Sequence, residues 1–312
     1  MAASTETMAL LPSIPHRSGT DPTSYAYQST DPLPPLPPNQ RYKLRTTVIL
    51  DDAFDVAIEW QNYSFSQGAR GVHPFYSNVP IVYGQRPPPV YYRSILQGRP
   101  TSRILVLNTA HEKEPGGAWE KGGLTQEEVF SRRSNLAQTL TTTDSRLPSI
   151  NTYYPIAQTG AIYSPSVVVF RAGFSKDYMM WDDEDWTTIS TVSASAVRRP
   201  KIHMEGPYYA FTEERNLQKE KMKSVLRAAA LNGHINLVLG GFGSYGQEGN
   251  GNGGGLYRNP INDVCCLWHE LLYLDEEFNG WFAKIVFALE NRGDGWMKED
   301  DVGVKLFQSY FG

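Results

Sequence analysis

The chain has 312 residues, with 29 Lys and Arg against 33 Asp and Glu, which gives a formal net charge of −4. Apolar residues make up 40% and aromatic residues 12% of the chain, which excludes wholesale disorder. This charge balance gives no general footprint for nucleic acid, so an anionic ligand has to be bound locally, by backbone N–H groups or single basic residues.

The N-terminal segment, residues 1–40, differs in composition from the rest of the chain. It is rich in Ser, Thr and Pro, and prolines crowd its end between Pro32 and Pro38. Such a sequence has little apolar surface to offset the cost of ordering it, and its prolines favour an extended backbone. We therefore predict a disordered tail, with a ligand for a proline-binding module as the less favoured interpretation, followed by a folded domain over residues 41–312.

Strand-like and helical segments alternate after the tail. Short apolar runs rich in β-branched residues predict buried strands at Ile104–Leu107, Val167–Phe170, Thr187–Val192, Ile235–Leu239 and Ile285–Leu289. Helical patterns occupy Asp51–Tyr63, Leu124–Leu140, Glu214–Asn232 before Gly233, and Asn259–Leu274. For the last helix we expect Asn259 as the N-cap and Pro260 at the first position. This alternation predicts an α/β sheet with both faces covered.

A first glycine-rich segment, Asn108–Phe130, directly follows the predicted strand Ile104–Leu107. It contains the turn Pro115-Gly116-Gly117-Ala118 and a second turn at Gly122-Gly123. Glycines at such places let the backbone approach a ligand closely and direct N–H groups toward it.

Two interpretations apply to the quartet Thr125-Gln126-Glu127-Glu128. Thr125 and Glu128 fit the capping box of a helix N-terminus, where acidic residues are favoured. A carboxyl group on the first helical turn is also rigidly placed beside the glycine turn. It could there donate a proton to a leaving oxygen.

A second glycine-rich segment, Gly240–Pro260, lies between the strand Ile235–Leu239 and the following helix. A strand, a glycine loop and a helix N-terminus form an arrangement that binds diphosphates in many α/β proteins. The segment lacks the acidic partner of the dinucleotide fingerprint and has no Gly-Lys-Ser/Thr, so a Walker-type loop is excluded. We expect Gly241–Gly246 to be the binding part and Gln247–Gly255 to be an insertion.

Taken together, Asn108, Pro115-Gly116-Gly117-Ala118 and Gln126-Glu127-Glu128 resemble the signature of the microbial-type poly(ADP-ribose) glycohydrolases of the macrodomain superfamily. In that family a three-glycine turn is followed closely by Gln-Glu-Glu; here Ala118 stands in the third position. Further along the chain, Gly241–Gly246 resembles the diphosphate loop of the family. The resemblance covers about residues 45–295.

This resemblance implies a macrodomain-like three-layer α/β/α fold with a central mixed sheet. It implies an enzyme that hydrolyses ribose–ribose O-glycosidic bonds of poly(ADP-ribose) and releases ADP-ribose, without a metal or another cofactor. Glu128 would be the general acid and base, and Glu127 would hold the ribose hydroxyls. The implied substrate-binding residues are Asn108, Gly116, Gly117, Ala118, Gln126, Gly241, Phe242, Gly243, Ser244, Tyr245 and Gly246.

Departures from the family pattern leave two alternatives open. His111 and Glu112 occupy the stretch in which family members usually carry an asparagine that contacts the terminal ribose. This change and Ala118 are also compatible with a catalytically weak module that binds ADP-ribose, or with a hydrolase of protein-linked mono-ADP-ribose. The aromatic residue that closes over the ligand in the family would be Tyr245 or Tyr257.

Partners and location follow from the remaining composition. The adjacent cysteines, Cys265 and Cys266, are unsuited to pairing with each other, which favours a reducing compartment in the cytoplasm or nucleus. The histidines lack a metal-binding spacing, and no apolar run approaches the length of a membrane span. We expect a monomer that binds poly(ADP-ribose) or an ADP-ribosylated protein, and neither nucleic acid nor a membrane.

Overall fold

The structure is a computed structural model that describes residues 2–28, 32–66, 103–204, 206, 208–244, 257–289 and 302–312. Its α-helices are α1 (Ala2–Leu10), α2 (Ile14–Ser18), α3 (Ala53–Ser66), α4 (Gln126–Arg133), α5 (Leu136–Thr141), α6 (Thr212–Leu231), α7 (Ile261–His269) and α8 (Val302–Phe311). Its strands are β1 (Tyr25–Gln28), β2 (Arg45–Ile49), β3 (Leu105–Thr109), β4 (Gly160–Val169), β5 (Thr187–Ala194), β6 (Asn236–Leu239) and β7 (Lys284–Ala288).

The described strands form one seven-stranded sheet in the order β1-β4-β5-β3-β6-β7-β2. Strands β5, β3, β6, β7 and β2 run parallel to one another. Strand β4 is antiparallel to β5, and β1 is antiparallel to β4. The mixed central sheet is the one that the resemblance implied.

Helices cover both faces of this sheet, as the continuous apolar strands predicted. Along β3, Leu105 and Leu107 pack into a core shared with α6, α7 and α8, whereas Val106 between them packs with α3, α4 and α5. Residues Leu237 and Val238 of β6 divide between the two cores in the same way. Successive side chains of a strand point to opposite faces, so one apolar run serves both layers. The prediction of a three-layer α/β/α fold is confirmed.

The predicted helix Leu124–Leu140 is two helices, α4 and α5. The break at Ser134 and Asn135 is stabilised by the sheet: Ser134 forms a bridge with Val169, and the backbone N–H of Val168 donates to Oδ1 of Asn135 at 2.8 Å. This interaction comes from a strand more than thirty residues later in the chain, so local composition gave no sign of it. Strands β1 and β2 and helix α8 were not predicted.

The prediction of a disordered tail over residues 1–40 is wrong. Helices α1 and α2 lie in this segment, and β1 pairs with β4 at the edge of the sheet. Ile14 is fully buried, and Leu33 and Leu36 join the larger of the two cores. The segment is therefore part of the folded domain.

The last predicted helix begins one residue later than its predicted cap and first position imply. The N-cap of α7 is Pro260, and Asn259 does not cap it. Instead, the fully buried Asn259 side chain donates to the carbonyl oxygen of Val197 at 2.8 Å and accepts the hydroxyl of Tyr209 at 2.6 Å. Asn259 thus joins the start of α7 to the segment that follows β5.

Candidate active site

Both glycine-rich segments begin at the same edge of the sheet. Strands β3 and β6 are parallel neighbours, so the loops that leave their carboxyl ends lie side by side. Tyr257 lies in the second segment, shortly before α7, and its hydroxyl donates to the carbonyl oxygen of Ala110 after β3. The sheet topology thus brings together two loops that are more than a hundred residues apart in sequence.

The backbone conformation of the turn Gly116-Gly117-Ala118 allows alanine in the third position. Gly116 has φ of 79° and Gly117 has φ of 59°, values that side-chain-bearing residues rarely adopt. Ala118 has φ of −89°, which alanine adopts without strain. The third glycine of the family pattern is therefore replaceable without distorting the turn, and what changes is one exposed methyl group on its surface.

Gln126 and Glu127, at the start of α4, hold the loop that leaves β3. Oε1 of Gln126 accepts the backbone N–H of Thr109 at 3.0 Å, and Oε2 of Glu127 accepts that of His111 at 2.6 Å. The side-chain amide of Asn108 donates to Ser193 Oγ at 3.0 Å and to Glu127 Oε1 at 3.4 Å. Gln126 and Glu127 therefore both accept backbone N–H groups at or just after the end of β3, and the Asn108 amide lies within hydrogen-bond distance of Glu127.

Burial raises the pKa of Glu127 to about 8, although N–H donors from His111, Gly116 and Asn108 lower it. The side chain is 1% exposed. The hydroxyl of Tyr154 lies beside this carboxyl, and burial together with the negative charge of Glu127 raises the pKa of the tyrosine well above its usual value. Sequence reasoning missed Tyr154, because no motif connects it to the glycine turn.

Glu128 links the two turns of the first glycine-rich segment. Its Oε1 accepts the backbone N–H of Ala118 at 2.9 Å, and its Oε2 accepts that of Thr125 at 2.7 Å. The second of these bonds is the one expected of a capping box. A β-carbon at Gly123 would lie 2.3 Å from the Glu128 carboxyl carbon, so only glycine leaves room for this carboxylate.

In the second loop, Gly243 is enclosed by protein atoms. It has φ of 84°, and a β-carbon there would lie 2.6 Å from Cβ of Ala196 and 2.8 Å from Nδ2 of Asn259. The Phe242 side chain is fully buried against Trp268, so Phe242 offers a ligand only its backbone. The predicted binding residues Tyr245 and Gly246, and the insertion Gln247–Gly255, lie outside the described residues.

Ser244 and the N-terminal segment complete the surroundings of the site. Ser244 is 2% exposed, and its Oγ has no hydrogen-bond partner among the residues that the structure describes.

Behind the glycine turn, Ser4 Oγ of α1 donates to the carbonyl oxygen of Trp119 at 2.9 Å, and Thr7 Oγ1 donates to that of Arg132 at 2.8 Å. Helix α1 thus supports the segment that carries Glu128.

Comparison with known proteins finds a family match for the part of the chain that contains the glycine turn. Residues 90–172 match the family model described as microbial-type PARG, catalytic domain, where PARG stands for poly(ADP-ribose) glycohydrolase. The matched range contains β3, the glycine turn, α4, α5 and β4. The resemblance to the microbial-type PARGs is confirmed. None of the curated proteins compared with this chain matches it.

Solved PARG structures share the fold over nearly the whole chain. PARG from Thermomonospora curvata superposes with a TM-score of 0.64 at 19% identity, covering 99% of this chain and 98% of that one. The same bacterial PARG bound to the inhibitor ADP-HPD gives 0.62 at 19% identity, with the same coverage. PARG from Deinococcus radiodurans in complex with ADP-ribose gives 0.59 at 18% identity, covering 95% and 96% of the two chains.

These matches confirm the PARG-like fold and, through the family model of a catalytic domain, the prediction of an enzyme of the glycoside hydrolase type. Within the described residues, no helix is long and apolar enough to cross a membrane. In the same part of the chain, Cys265 and Cys266 are free thiols.

Proposed function

We propose that this PARG-like chain hydrolyses the ribose–ribose O-glycosidic bonds of poly(ADP-ribose) and releases ADP-ribose. One observation carries the proposal: the first turn of α4 holds two neighbouring carboxyl groups, Glu127 and Glu128, against the loop that contains the glycine turn. Cleavage of a glycosidic bond passes through an oxocarbenium-like transition state and requires a carboxyl group that can donate and accept a proton.

Glu128 acts as the general acid and base. As the bond between the ribose C1 and the leaving oxygen breaks, the protonated Glu128 carboxyl donates its proton to that oxygen. The resulting carboxylate then takes a proton from water, while the water oxygen forms the new bond to C1. One water molecule is consumed, and Glu128 is protonated again at the end of the cycle.

Glu127 holds the hydroxyls of the same ribose. Its pKa of about 8 means that the carboxyl is largely protonated at neutral pH, so it can donate a hydrogen bond to a sugar oxygen as well as accept one. Its position is fixed by the N–H donor of His111 and by the Asn108 amide.

Backbone groups of the second loop bind the diphosphate. Gly243 allows the tight turn of this loop, and the buried Ser244 hydroxyl is available as a donor for a phosphate oxygen. The glycine turn, Gly116–Ala118, binds the ribose. Gly241, Phe242, Tyr245 and Gly246 complete the proposed binding set.

Incubation with poly(ADP-ribose), followed by chromatography for free ADP-ribose, tests the proposal. Release of ADP-ribose supports the glycohydrolase, whereas tight binding of ADP-ribose without release means that the chain is a binding module. Release from mono-ADP-ribosylated protein but not from the polymer means that the bond cleaved is the one to the protein.

We infer a monomer that acts inside the cell, in the nucleus or the cytoplasm, on the polymer or on ADP-ribosylated proteins. Size-exclusion chromatography with light scattering checks the monomer, and imaging of a fluorescent fusion checks the location.

A further inference from the structure

A cavity of about 430 Å³ opens at the same edge of the sheet as the two glycine loops. Its walls come from the segment after β5, from α6, and from the loops around Glu112 and Pro155. The lining includes Glu112, Lys113, Pro155, Ser195, Arg198 and Lys221.

One wall of the cavity lies next in the chain to a backbone group that contacts Glu127. Glu112, in its wall, directly follows His111, whose N–H group is bound by the Glu127 carboxylate. Ser195, also in the lining, follows Ala194, whose carbonyl oxygen accepts the N–H of Ala110. Lining residues Glu112 and Pro155 are thus each one residue from a group that interacts with Glu127, the His111 N–H group and the Tyr154 side chain.

Lys221 is a buried cation without an acidic partner. It is 6% exposed, and its Nζ lies 3.3 Å from Ser195 Oγ. Among the described residues, no carboxylate lies within ion-pair distance of it, whereas Lys219 and Lys223 on the same helix pair with Glu270 at 3.0 Å and Asp275 at 3.1 Å. A buried charge is costly unless it is paired, so Lys221 favours an anion in the cavity.

The lining as a whole is cationic. The lining contains three cations, Lys113, Arg198 and Lys221, and one carboxylate, Glu112. The Glu112 carboxylate accepts an N–H group of Arg198, with 3.1 Å between Nη1 and the oxygen, and lies 3.9 Å from Nζ of Lys113. Burial lowers the pKa of Lys221 to about 8, and the negative charge of Glu112 raises it in part. A bound anion would raise the pKa further by favouring the charged form.

We propose that this cavity binds the sugar phosphate of the polymer unit on the leaving side of the scissile bond, with Lys221 as the phosphate ligand. This inference rests on the proposed function. In poly(ADP-ribose), the oxygen released by hydrolysis belongs to the ribose of the next unit, and that ribose carries a phosphate on its 5′ carbon. A cavity of this volume lies in the range that accepts small molecules of this kind.

Comparison of two substrates isolates this subsite. One is poly(ADP-ribose), and the other is ADP-ribose bearing an uncharged aryl leaving group, which has no phosphate on that side. For Lys221→Met, we expect the ratio of kcat/KM on the polymer to kcat/KM on the aryl substrate to fall at least tenfold. The matched control is Lys219→Met, the same change on the same helix at a lysine that does not line the cavity. Equal ratios in the two variants would overturn the proposal.

A binding measurement decides the matter independently of hydrolysis. Ribose 5-phosphate is titrated calorimetrically into each protein in the presence of saturating ADP-ribose, which occupies the main site. We expect binding by the wild type and by Lys219→Met, and at least tenfold weaker binding by Lys221→Met. Equal affinity in the two variants, or no binding by the wild type, refutes the subsite. Failure of the wild type to bind or release ADP-ribose would instead refute the proposed function.

Discussion

Replacement of Glu128 by glutamine would separate the two roles that the structure gives to this side chain. The carboxylate accepts two backbone N–H groups, one from Ala118 at 2.9 Å and one from Thr125 at 2.7 Å. A carboxamide has one acceptor oxygen, and its NH₂ group would face the other N–H. One donor therefore loses its partner, at a cost of about 1–3 kcal/mol of the free energy of unfolding.

The fold should survive this cost, because domains commonly have about 5–15 kcal/mol of stability. Turnover should not survive, because the amide has no proton to donate to the leaving oxygen. General acid–base catalysis contributes about 10²–10⁴-fold, so we expect kcat on poly(ADP-ribose) to fall by about that factor, with ADP-ribose affinity within several-fold of the wild type.

The assay is the release of ADP-ribose under initial-rate conditions, combined with calorimetric titration of ADP-ribose and thermal denaturation of each protein. Glu120→Gln is the matched control, because Glu120 is exposed on the same loop, between the two glycine turns. Near wild-type hydrolysis by Glu128→Gln, together with a lowered melting temperature, would show that Glu128 is a helix cap and that the acid lies elsewhere.

Three further outcomes are expected. Deletion of residues 2–18 should lower the melting temperature by several degrees and reduce turnover, because α1 supports the Glu128 segment; an unchanged melting curve would contradict the packing of α1. Gly243→Ala should destabilise the fold more than Gly122→Ala, since both have φ near +85° but only Gly243 is crowded; urea unfolding that ranks them the other way contradicts the clash. Burial lowers the pKa of His234 to about 3, so only the unfolded chain takes up its proton as the pH falls from 7 to 5. This proton uptake should lower the contribution of His234 to the free energy of unfolding by about 2 kcal/mol over this interval. A His234→Asn variant, compared with the wild type by urea unfolding at both pH values, should lack that contribution.

The sequence alone determined the layered architecture and the position of the first glycine turn. Runs such as Ile104–Leu107 are apolar on every residue because a central strand packs on both faces, and that pattern is local. The capping bond from Thr125 to Glu128 is also local, since its two residues lie on one helical turn. Patterns of this kind can be read without knowledge of the rest of the chain.

Only the tertiary structure determines that the N-terminal segment is folded. Ser4 and Thr7 are polar residues that signal exposure, yet both are buried because their hydroxyls bond to carbonyl oxygens more than a hundred residues away. Strand β1 likewise exists because β4 supplies its partner groups. The apolar content of residues 1–40 is too low to predict such packing.

The chemistry of the site is likewise a product of the tertiary structure. The pKa of Glu127 rises because the fold removes its carboxyl from water. Lys221 is also buried, at a place where none of the described carboxylates lies within ion-pair distance. In the sequence, Lys221 is one of several charged residues on a long helix. Its neighbours Lys219 and Lys223 are paired at the surface of α6. Sequence spacing identified the carboxyl pair on α4. The charge state of Glu127 and the preference of Lys221 for an anion depend on burial, and burial depends on elements that are distant in the chain.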